Sequence, residues 1–363
     1  MIVLVFSDLH LGRGKFFKNG QINILEDFFE DRRFVEFLDY YSSGKYLDQE
    51  VHLILNGDIL NLIQIDIDGV FSHIVDEERT IAAINLIYNA HETFFLGLKK
   101  FLNIAGKKVS YGIGNHDAGM GFEGAQRKFN ELVCSKVEFF YELDLHGVHI
   151  EHGHRFELIN ASPKKQHFTI GPNGSKILNL PWGSLFCINV LPQLRKERPY
   201  LDKVRPMTSY VKWCLIHDFM FFWHLAVTVA LYIIKTNFDL YTKQNRSFKT
   251  SIGVLKQITI YPRYEKKAKK ILKENSGLHT VVMGHTHVVE WRRFPERKYY
   301  FNTGTWNSIP SIDAGLHENM TSLNYIMIDV NKETRTLCSA NLNIWQGNWR
   351  PFREEIATIS DPV

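Results

Sequence analysis

The run Val109-Ser110-Tyr111-Gly112-Ile113 leads into Gly114-Asn115-His116-Asp117. An apolar run that stops among closely spaced glycines (Gly112, Gly114, Gly119 and Gly121) predicts a short strand. It would end in a turn that throws its polar side chains past the sheet edge. Asn115 offers a neutral oxygen, His116 an imidazole that can carry a proton near neutrality, and Asp117 a carboxylate able to orient that ring. By itself Asn-His-Asp after a glycine is usually just a turn. Its weight comes from other strand-like runs that end the same way.

Toward the N-terminus, Ile2–Phe6 is a continuous apolar run, as expected of a strand buried on both faces, and it delivers Ser7-Asp8-Leu9-His10. Asp8 and His10 are two residues apart, so in extended chain they project to one side. Val51–Leu55 ends in Asn56-Gly57-Asp58. Toward the C-terminus, Phe139–Leu145 and Val148–Glu151 read as a hairpin about His146-Gly147, closing on His152-Gly153-His154. Thr280–Met283 leads to Gly284-His285-Thr286-His287, and Lys298–Phe301 to Asn302-Thr303-Gly304-Thr305-Trp306. Strands follow at Leu323–Val330 and Leu337–Asn343. Helices are expected at Asp27–Tyr41, from about Glu77 to a stop at Gly106, and at Glu123–Cys134. Strands alternating with helices at one end, and strand following strand at the other, predict an α/β (α+β) fold of two stacked mixed sheets covered by helices.

The side chains at these strand ends are Asp8, His10, Asp58, Asn115, His116, His152, His154, His285 and His287. They are hard oxygens and imidazoles with no thiolate, a set suited to Mn, Fe or Zn and unsuited to an iron–sulfur cluster or copper(I). Eight or so donors are too many for one ion. Two divalent ions sharing a carboxylate would use them, at the ~3.5–4 Å spacing that suits displacement at phosphorus.

In this order and spacing the chain resembles the calcineurin-like metallophosphoesterase superfamily, whose pattern is D-x-H, G-D, G-N-H-[DE], H-G and G-H-x-H. Every block is present: Asp8-Leu9-His10, Gly57-Asp58, Gly114-Asn115-His116-Asp117, His152-Gly153-His154 and Gly284-His285-Thr286-His287. The resemblance implies a four-layer αββα sandwich. It also implies that Asp8, His10 and His287 hold one metal, that Asn115, His152 and His285 hold a second, and that Asp58 bridges them. Manganese is the expected metal, with Fe or Zn as alternatives. A metal-bridging hydroxide would attack phosphorus, with His116 facing the phosphate as a catalytic group and Asp117 orienting its ring. His154 either backs up a ligand or is incidental to the turn. Arg13 either reaches a phosphate or is a plain surface arginine.

Residues 155–273 break the rhythm and read as an inserted, largely helical cap on a core made of residues 1–154 and 274–363. The insert has 21 Lys and Arg against 6 Asp and Glu, a balance of +15, whereas the remainder has 22 against 33, or −11. That asymmetry calls for an anionic partner: phospholipid, nucleic acid or a phosphorylated substrate. Within the insert, Trp213–Ile234 is the most apolar stretch, with His217, His224, Thr228 and Lys235 on a narrow polar stripe at helical spacing. Three readings stand side by side: a membrane span, a helix in the cap's own core, and a helix lying in a membrane interface or lining an acyl groove. A span would carry Asp218 inside it, at ~2.5–3.5 kcal/mol. Flanking cations (Arg195, Lys196, Arg198, Lys203, Arg205 and Lys212 before; Lys235, Lys243 and Arg246 after) favour the interface.

A cap with an apolar helix, and the Asn302–Trp306 run, resemble the UDP-2,3-diacylglucosamine hydrolase branch, which cuts a lipid-linked nucleotide pyrophosphate in lipid A synthesis. A nuclease or other phosphodiesterase of the superfamily, gripping nucleic acid with the basic cap, is the alternative activity, and a non-catalytic scaffold is the alternative outside enzymes. The protein-phosphatase branch is disfavoured because Ile59-Leu60-Asn61 follows Gly57-Asp58 where that branch has a longer arginine-bearing motif. Four cysteines without CxxC spacing fit a reducing compartment. Met1 leads straight into Ile2–Phe6 with no basic leader, so the expected location is cytoplasmic, peripheral at the inner membrane surface if the lipid reading holds.

Overall fold

The computed structural model describes residues 1–17, 19–162, 166–199, 201–204, 207–238, 263–309, 322–331, 333–334, 336–347 and 354–360. Arg205, Lys243 and Arg246 of the cation set, with Pro163 and Pro206 of the insert, lie outside the described residues.

β1 (Ile2–Phe6), β2 (Val51–Asn56), β3 (Lys107–Gly112) and β4 (Glu138–Phe140) run parallel and adjacent. Helices α1 (Asp31–Tyr41), α2 (Glu77–Ala90), α3 (Glu92–Leu102) and α4 (Glu123–Val133) fall between them in the chain. Next come β5 (Glu142–Leu145), β6 (Val148–Glu151) and a small hairpin of β7 (Phe168–Ile170) and β8 (Lys176–Leu178). The insert continues with α5 (Trp182–Asn189), α6 (Leu191–Glu197), α7 (Met207–His217), α8 (Phe219–Phe238) and α9 (Tyr264–Glu274). The chain closes with β9 (Thr280–Met283), β10 (Val289–Phe294), β11 (Lys298–Thr303), β12 (Asn324–Val330), β13 (Leu337–Ile344) and β14 (Glu354–Ser360). One sheet has the order β14-β13-β12-β1-β2-β3-β4 and the other β10-β11-β9-β6-β5. Both are mixed: β12 runs antiparallel to β1, and β6, β9 and β11 are parallel between antiparallel edges.

The period-two alternation of β1 explains the layering. Ile2, Leu4 and Phe6 face the helices in one core, and Val3 and Val5 face the second sheet (Val148, Ile150, Val282, Phe301) in another. Val281, Met283 and Tyr300 turn to the far side, where α9 covers them with Tyr264, Ala268 and Leu272. Helices, sheet, sheet and helix are therefore the four layers expected. Phe6 packs on Trp306 at 5.2 Å between ring centroids and on Phe34 at 5.6 Å. Each ring so buried contributes about 1.5–3 kcal/mol, and the cluster fixes the point at which β1 releases its loop.

Four runs differ from the sequence reading. The helix expected from Asp27 begins only at Asp31. The long helix after Glu77 breaks at His91 (φ −122, ψ 34), whose ring turns inward between Asp31 and Glu26. Phe139–Leu145 divides between the sheets: Phe140 pairs with Gly112 of β3, and Glu142 with Glu151 of β6. The apolar run Trp213–Ile234 is interrupted at Asp218, where α7 ends and α8 begins. The Asp218 carboxylate accepts from Arg198 Nε at 2.9 Å, so a charge inside the run is paired instead of buried alone.

The insert shares the body's core. Leu180, Trp182, Leu185, Ile188 and Leu194 belong to the same cluster as Phe34 and Phe94. Arg195, 1% exposed, clamps α6 to the body. It donates to Ile24 O (3.1 Å), to both oxygens of Asp27 (3.2 and 3.1 Å) and to Asp202 (2.8 and 2.5 Å).

Candidate metal centre

The loops carrying the donors all leave the C-terminal ends of parallel strands: β1, β2 and β3 of one sheet, β6 and β9 of the other. The local backbone is unusual. Asp8, His10, Asp58, His285 and His287 all have positive φ (57, 53, 52, 69 and 60°). Such conformations cost about 1–3 kcal/mol each and persist only where the surroundings over-determine them. Here close approach does so. A side chain at Gly114 would collide with the Asp58 carboxylate, and one at Gly284 with Ser7 and Asp8.

Three overlapping groups of donors result: Asp8, His10 and His287; His10, Asp58 and His116; Asp58, His152 and His285, with the ligand atoms of each group within 4.8 Å of one another. His10 Nε2 and His287 Nε2 stand 3.0 Å apart, and Asp8 Oδ1 lies 3.4 Å from the latter. His152 Nε2 is 3.1 Å from Asp58 Oδ2 and 3.9 Å from Asp8 Oδ1. Surrounding hydrogen bonds fix which atoms face inward. Asp8 Oδ2 accepts from Ser7 Oγ and from the His285 N–H (2.8 Å), leaving Oδ1 without a partner. Asp58 Oδ1 accepts from the His116 N–H at 2.7 Å, leaving Oδ2 for the centre. His152 Nδ1 donates to Asn56 O at 2.9 Å, which turns Nε2 toward the centre and the Asp58 carboxylate. Asn115 Oδ1 is also buried without a partner.

The charges of the cluster act strongly on one another. Burial opposes charge on His152, but Asp58 and Asp8 outweigh it and push the imidazole up to about 10. Burial would raise Asp8, yet His152 and His287 bring it down to about 2. The cluster thus draws a proton onto a histidine buried among carboxylates, as a site short of positive charge does. Unpaired oxygens and imidazole nitrogens aimed at one place, in a hard N/O set, fit divalent cations.

Asp117 does not orient His116, contrary to the sequence reading. Its carboxylate accepts from the N–H groups of Gly114 (2.6 Å) and Ile59 (2.9 Å) and from Tyr111 Oη (2.7 Å). Burial first, and Asp58 second, raise it to about 6. Its place in the tight turn aims it back at the loop it belongs to. Asn61 holds the ring instead: its Oδ1 accepts from His116 Nδ1 at 2.8 Å, and its Nδ2 donates to Gln64 Oε1 at 2.7 Å. Arg13 pairs with Asp66 Oδ1 at 2.5 Å and stacks on the ring of Phe17. His154 is half-buried, its ring centroid 5.5 Å from that of His152, and desolvation holds it well below its ordinary value. It lines a cleft with Asn115, Asn160, His167 and Leu180.

Sequence reasoning missed the insert's contribution. Glu157 Oε2 meets His285 Nε2 at 2.9 Å, and Asn160 Nδ2 lies 3.2 Å from the same nitrogen. Burial would raise Glu157, but His285 brings it down to about 2, so the carboxylate is charged and fixes the imidazole. The Asn302–Trp306 run braces the loops from behind: Asn302 Nδ2 donates to Gly284 O (2.7 Å) and Thr305 Oγ1 to Asp8 O (2.5 Å). A separate cluster, Glu142, His149 and Glu151, is closed by ion pairs with Arg155 and Asp144.

No family model matches the sequence, and no curated protein matches it. Among solved structures, similarity extends to a dimetal phosphatase from Danio rerio (TM-score 0.39, 8% identity, 98% of each chain). It extends also to a conserved uncharacterized protein of Streptococcus pneumoniae TIGR4, described as a predicted phosphoesterase (TM-score 0.29, 9% identity, 98% of this chain and 97% of that one). Vps29 of Entamoeba histolytica, complexed with Zn2+, matches at TM-score 0.19 and 17% identity, over 28% of this chain and 49% of its own.

Proposed function

We propose that the chain is a metal-dependent phosphoesterase that hydrolyses a phosphoester or pyrophosphate bond, and that its substrate is a lipid-linked nucleotide such as UDP-2,3-diacylglucosamine. The observation that carries the hydrolytic reading is the convergence of donors whose inward atoms, Asp8 Oδ1, Asn115 Oδ1 and His152 Nε2, have no partner. Asp8, His10 and His287 would hold one ion and Asn115, His152 and His285 the other, with Asp58 between them. When bound, such a pair supplies a water acidic enough to ionise near neutral pH and neutralises charge on the phosphoryl oxygens.

The remaining work falls to the chain's own residues. With Nδ1–H held by Asn61, His116 presents Nε2 toward the cluster, its ring centroid 4.6 Å from that of His10. Burial lowers its basicity, and the conjugate acid is correspondingly the stronger donor to a leaving oxygen. Asp117 and Tyr111 hold the Gly114 turn that carries both Asn115 and His116. Leu178, Leu180 and Pro181 line the cleft beside Asn115 and His154, and Trp182, Phe186 and Tyr232 pack on one another in the shared core. Such a lining suits an acyl-bearing substrate better than a bare polynucleotide, and the +15 insert suits its phosphates.

The test is metal content together with hydrolysis of bis-p-nitrophenyl phosphate by the native chain and by Asp58→Ala. Native protein should take up two equivalents of a first-row divalent ion and turn over, and the variant should lose both ions and nearly all turnover. Full activity of Asp58→Ala with two ions bound removes the bridging assignment. A native chain that takes up no such ion removes the hydrolytic reading. Preference for a lipid-linked pyrophosphate over single-stranded DNA decides the substrate class.

A further inference from the structure

The strand β10 is an edge of the second sheet, six residues long with no proline among them, and among the described residues no strand lies beyond it. An edge of this length presents a row of open N–H and C=O groups that folded proteins seldom leave uncovered. Which groups are open follows from the next strand in. Tyr299 N–H donates to His279 O at 2.8 Å, on the β9 side, so the backbone of Tyr299 turns away from β10. Arg293 opposes Tyr299 and is therefore a non-hydrogen-bonded partner, with its own backbone groups turned outward. Direction alternates along a strand, so Val289 and Trp291 also present their N–H and C=O outward. The side chains agree with this. Trp291 C=O accepts from Nη1 of its own neighbour Arg292 at 3.2 Å, and the same guanidinium pairs with Glu290 at 2.9 Å. Trp291 and Val288, which precedes the strand, are each 42% exposed.

We infer that two copies of the chain join edge to edge through antiparallel β10 strands, making one continuous sheet across a two-fold axis. An axis perpendicular to the sheet keeps each face on its own side, so a residue opposes only residues of like parity. Centred on Trp291, that rule makes the sequence its own complement. Val288 opposes the partner's Phe294, Val289 the partner's Arg293, Glu290 the partner's Arg292, and Trp291 its own counterpart. Val289, Trp291 and Arg293 are the residues with outward backbone groups, so they form the hydrogen-bonded pairs. Glu290 and Arg292 fall at the non-hydrogen-bonded positions, where opposed side chains come closest. Unlike charges therefore meet there, and they do so twice by symmetry. Moving the axis one residue either way sets Glu290 against Glu290 or Arg292 against Arg292. The partner's Trp291 N–H replaces the Arg292 guanidinium on Trp291 C=O and frees it for the partner's Glu290. A foreign strand has to supply this pattern of charge and apolar residues, whereas a second copy carries it already. The inference goes beyond the hydrolytic reading and does not rest on it.

Sedimentation velocity of the full chain over a range of concentrations tests this. The native chain should sediment as a dimer that dissociates on dilution. Glu290→Arg and, separately, Arg292→Glu each set like charges against one another at both positions, and each should weaken the dimer by about tenfold or more. Mixed together, these two variants should associate as the native chain does, because each supplies the charge that the other has lost. Glu290→Arg with Arg292→Glu in one chain should recover the dimer as well. Unchanged circular dichroism and Tm report that the variants are folded. Asp58→Ala should dimerise like the native chain, which keeps this outcome separate from catalysis. A native chain that stays monomeric throughout overturns the inference, as does a dimer that both single variants leave intact. Single variants that dissociate and stay apart when mixed overturn the register. Association that Met220→Glu with Leu231→Glu abolishes and the charge variants do not belongs to α8, and overturns the inference too.

Discussion

The metal-centre loops and the α7–α8 pair break the same rule in opposite senses. The loops bury Asp8, Asp58 and His152 at 1% exposure or less, and the helices expose Ile216, Met220 and Leu231 at more than 60%. A buried carboxylate and an exposed apolar stripe each cost free energy that a folded domain rarely tolerates without return. What separates them is the support behind each. Asp8, Asp58 and His152 are each held by a further hydrogen bond, so their inward atoms aim at one point. Among the described residues the helices are held from their inner side, and their outer face is broad and non-directional. A cation needs the first kind of surface, and a lipid layer accepts the second.

The largest effect that sharpens this contrast should come from His116→Ala. If the ring faces substrate and holds no metal, turnover should fall ~10²–10⁴-fold while two ions remain bound. Unchanged turnover would place His116 with the supporting residues. A loss of metal would place it among the ligands, as its grouping with His10 and Asp58 allows.

Arg195→Met breaks the contrast from the other side, by loosening the insert. Asp27 keeps Lys203 at 2.5 Å, but Asp202 and Ile24 O lose the bonds that Arg195 donates. Breaking a buried pair of this kind costs about 3–5 kcal/mol, to be read from denaturant unfolding. Since Glu157 and Asn160 of the insert hold His285, activity should fall along with stability. Lost stability with intact activity would mean that the insert positions nothing in the centre.

How much of this was legible follows from distance along the chain. Each donor block is local, a strand, a glycine and a polar pair, and so is read directly, as is the alternation that makes β1 face two cores. Asn61 reaches His116 across 55 residues and Glu157 reaches His285 across 128, with no spacing rule to announce either. Asp117 misled because it is the neighbour of His116 in sequence, yet the turn aims adjacent side chains apart. The break at Asp218 depends on Arg198, a partner 20 residues away that composition does not reveal.

The His91 strut predicts a pH dependence behind the centre. Glu26 accepts from the N–H groups of Gly12 (3.1 Å) and Gly14 (2.5 Å), just past His10, and His91 Nε2 lies 3.4 Å from it. Burial disfavours charge on His91, but its bonds to Asp31 and Glu26 outweigh that and raise it to about 9. A histidine raised in the folded state stabilises fully below its ordinary value of 6.5, and the contribution is lost as pH rises through 9. Unfolding free energy should therefore drop by roughly 2–3 kcal/mol between those limits. His91→Asn should flatten the dependence, and an equal slope in that variant would assign it to other groups.

The smallest effect is the most discriminating. Asn61 touches the His116 ring and no backbone of the loop, whereas Asp117 touches the loop and not the ring. Asn61→Ala should lower kcat by about tenfold, the scale of losing a group that orients a functional one, with metal content and Tm unchanged. Asp117→Asn should do the reverse. A neutral amide cannot accept from Gly114, Ile59 and Tyr111 as a carboxylate does, so Tm should fall before any specific loss of kcat. Were Asp117→Asn to lose kcat at full Tm, and Asn61→Ala to lose neither, the carboxylate would regain the orienting role that adjacency in sequence suggested.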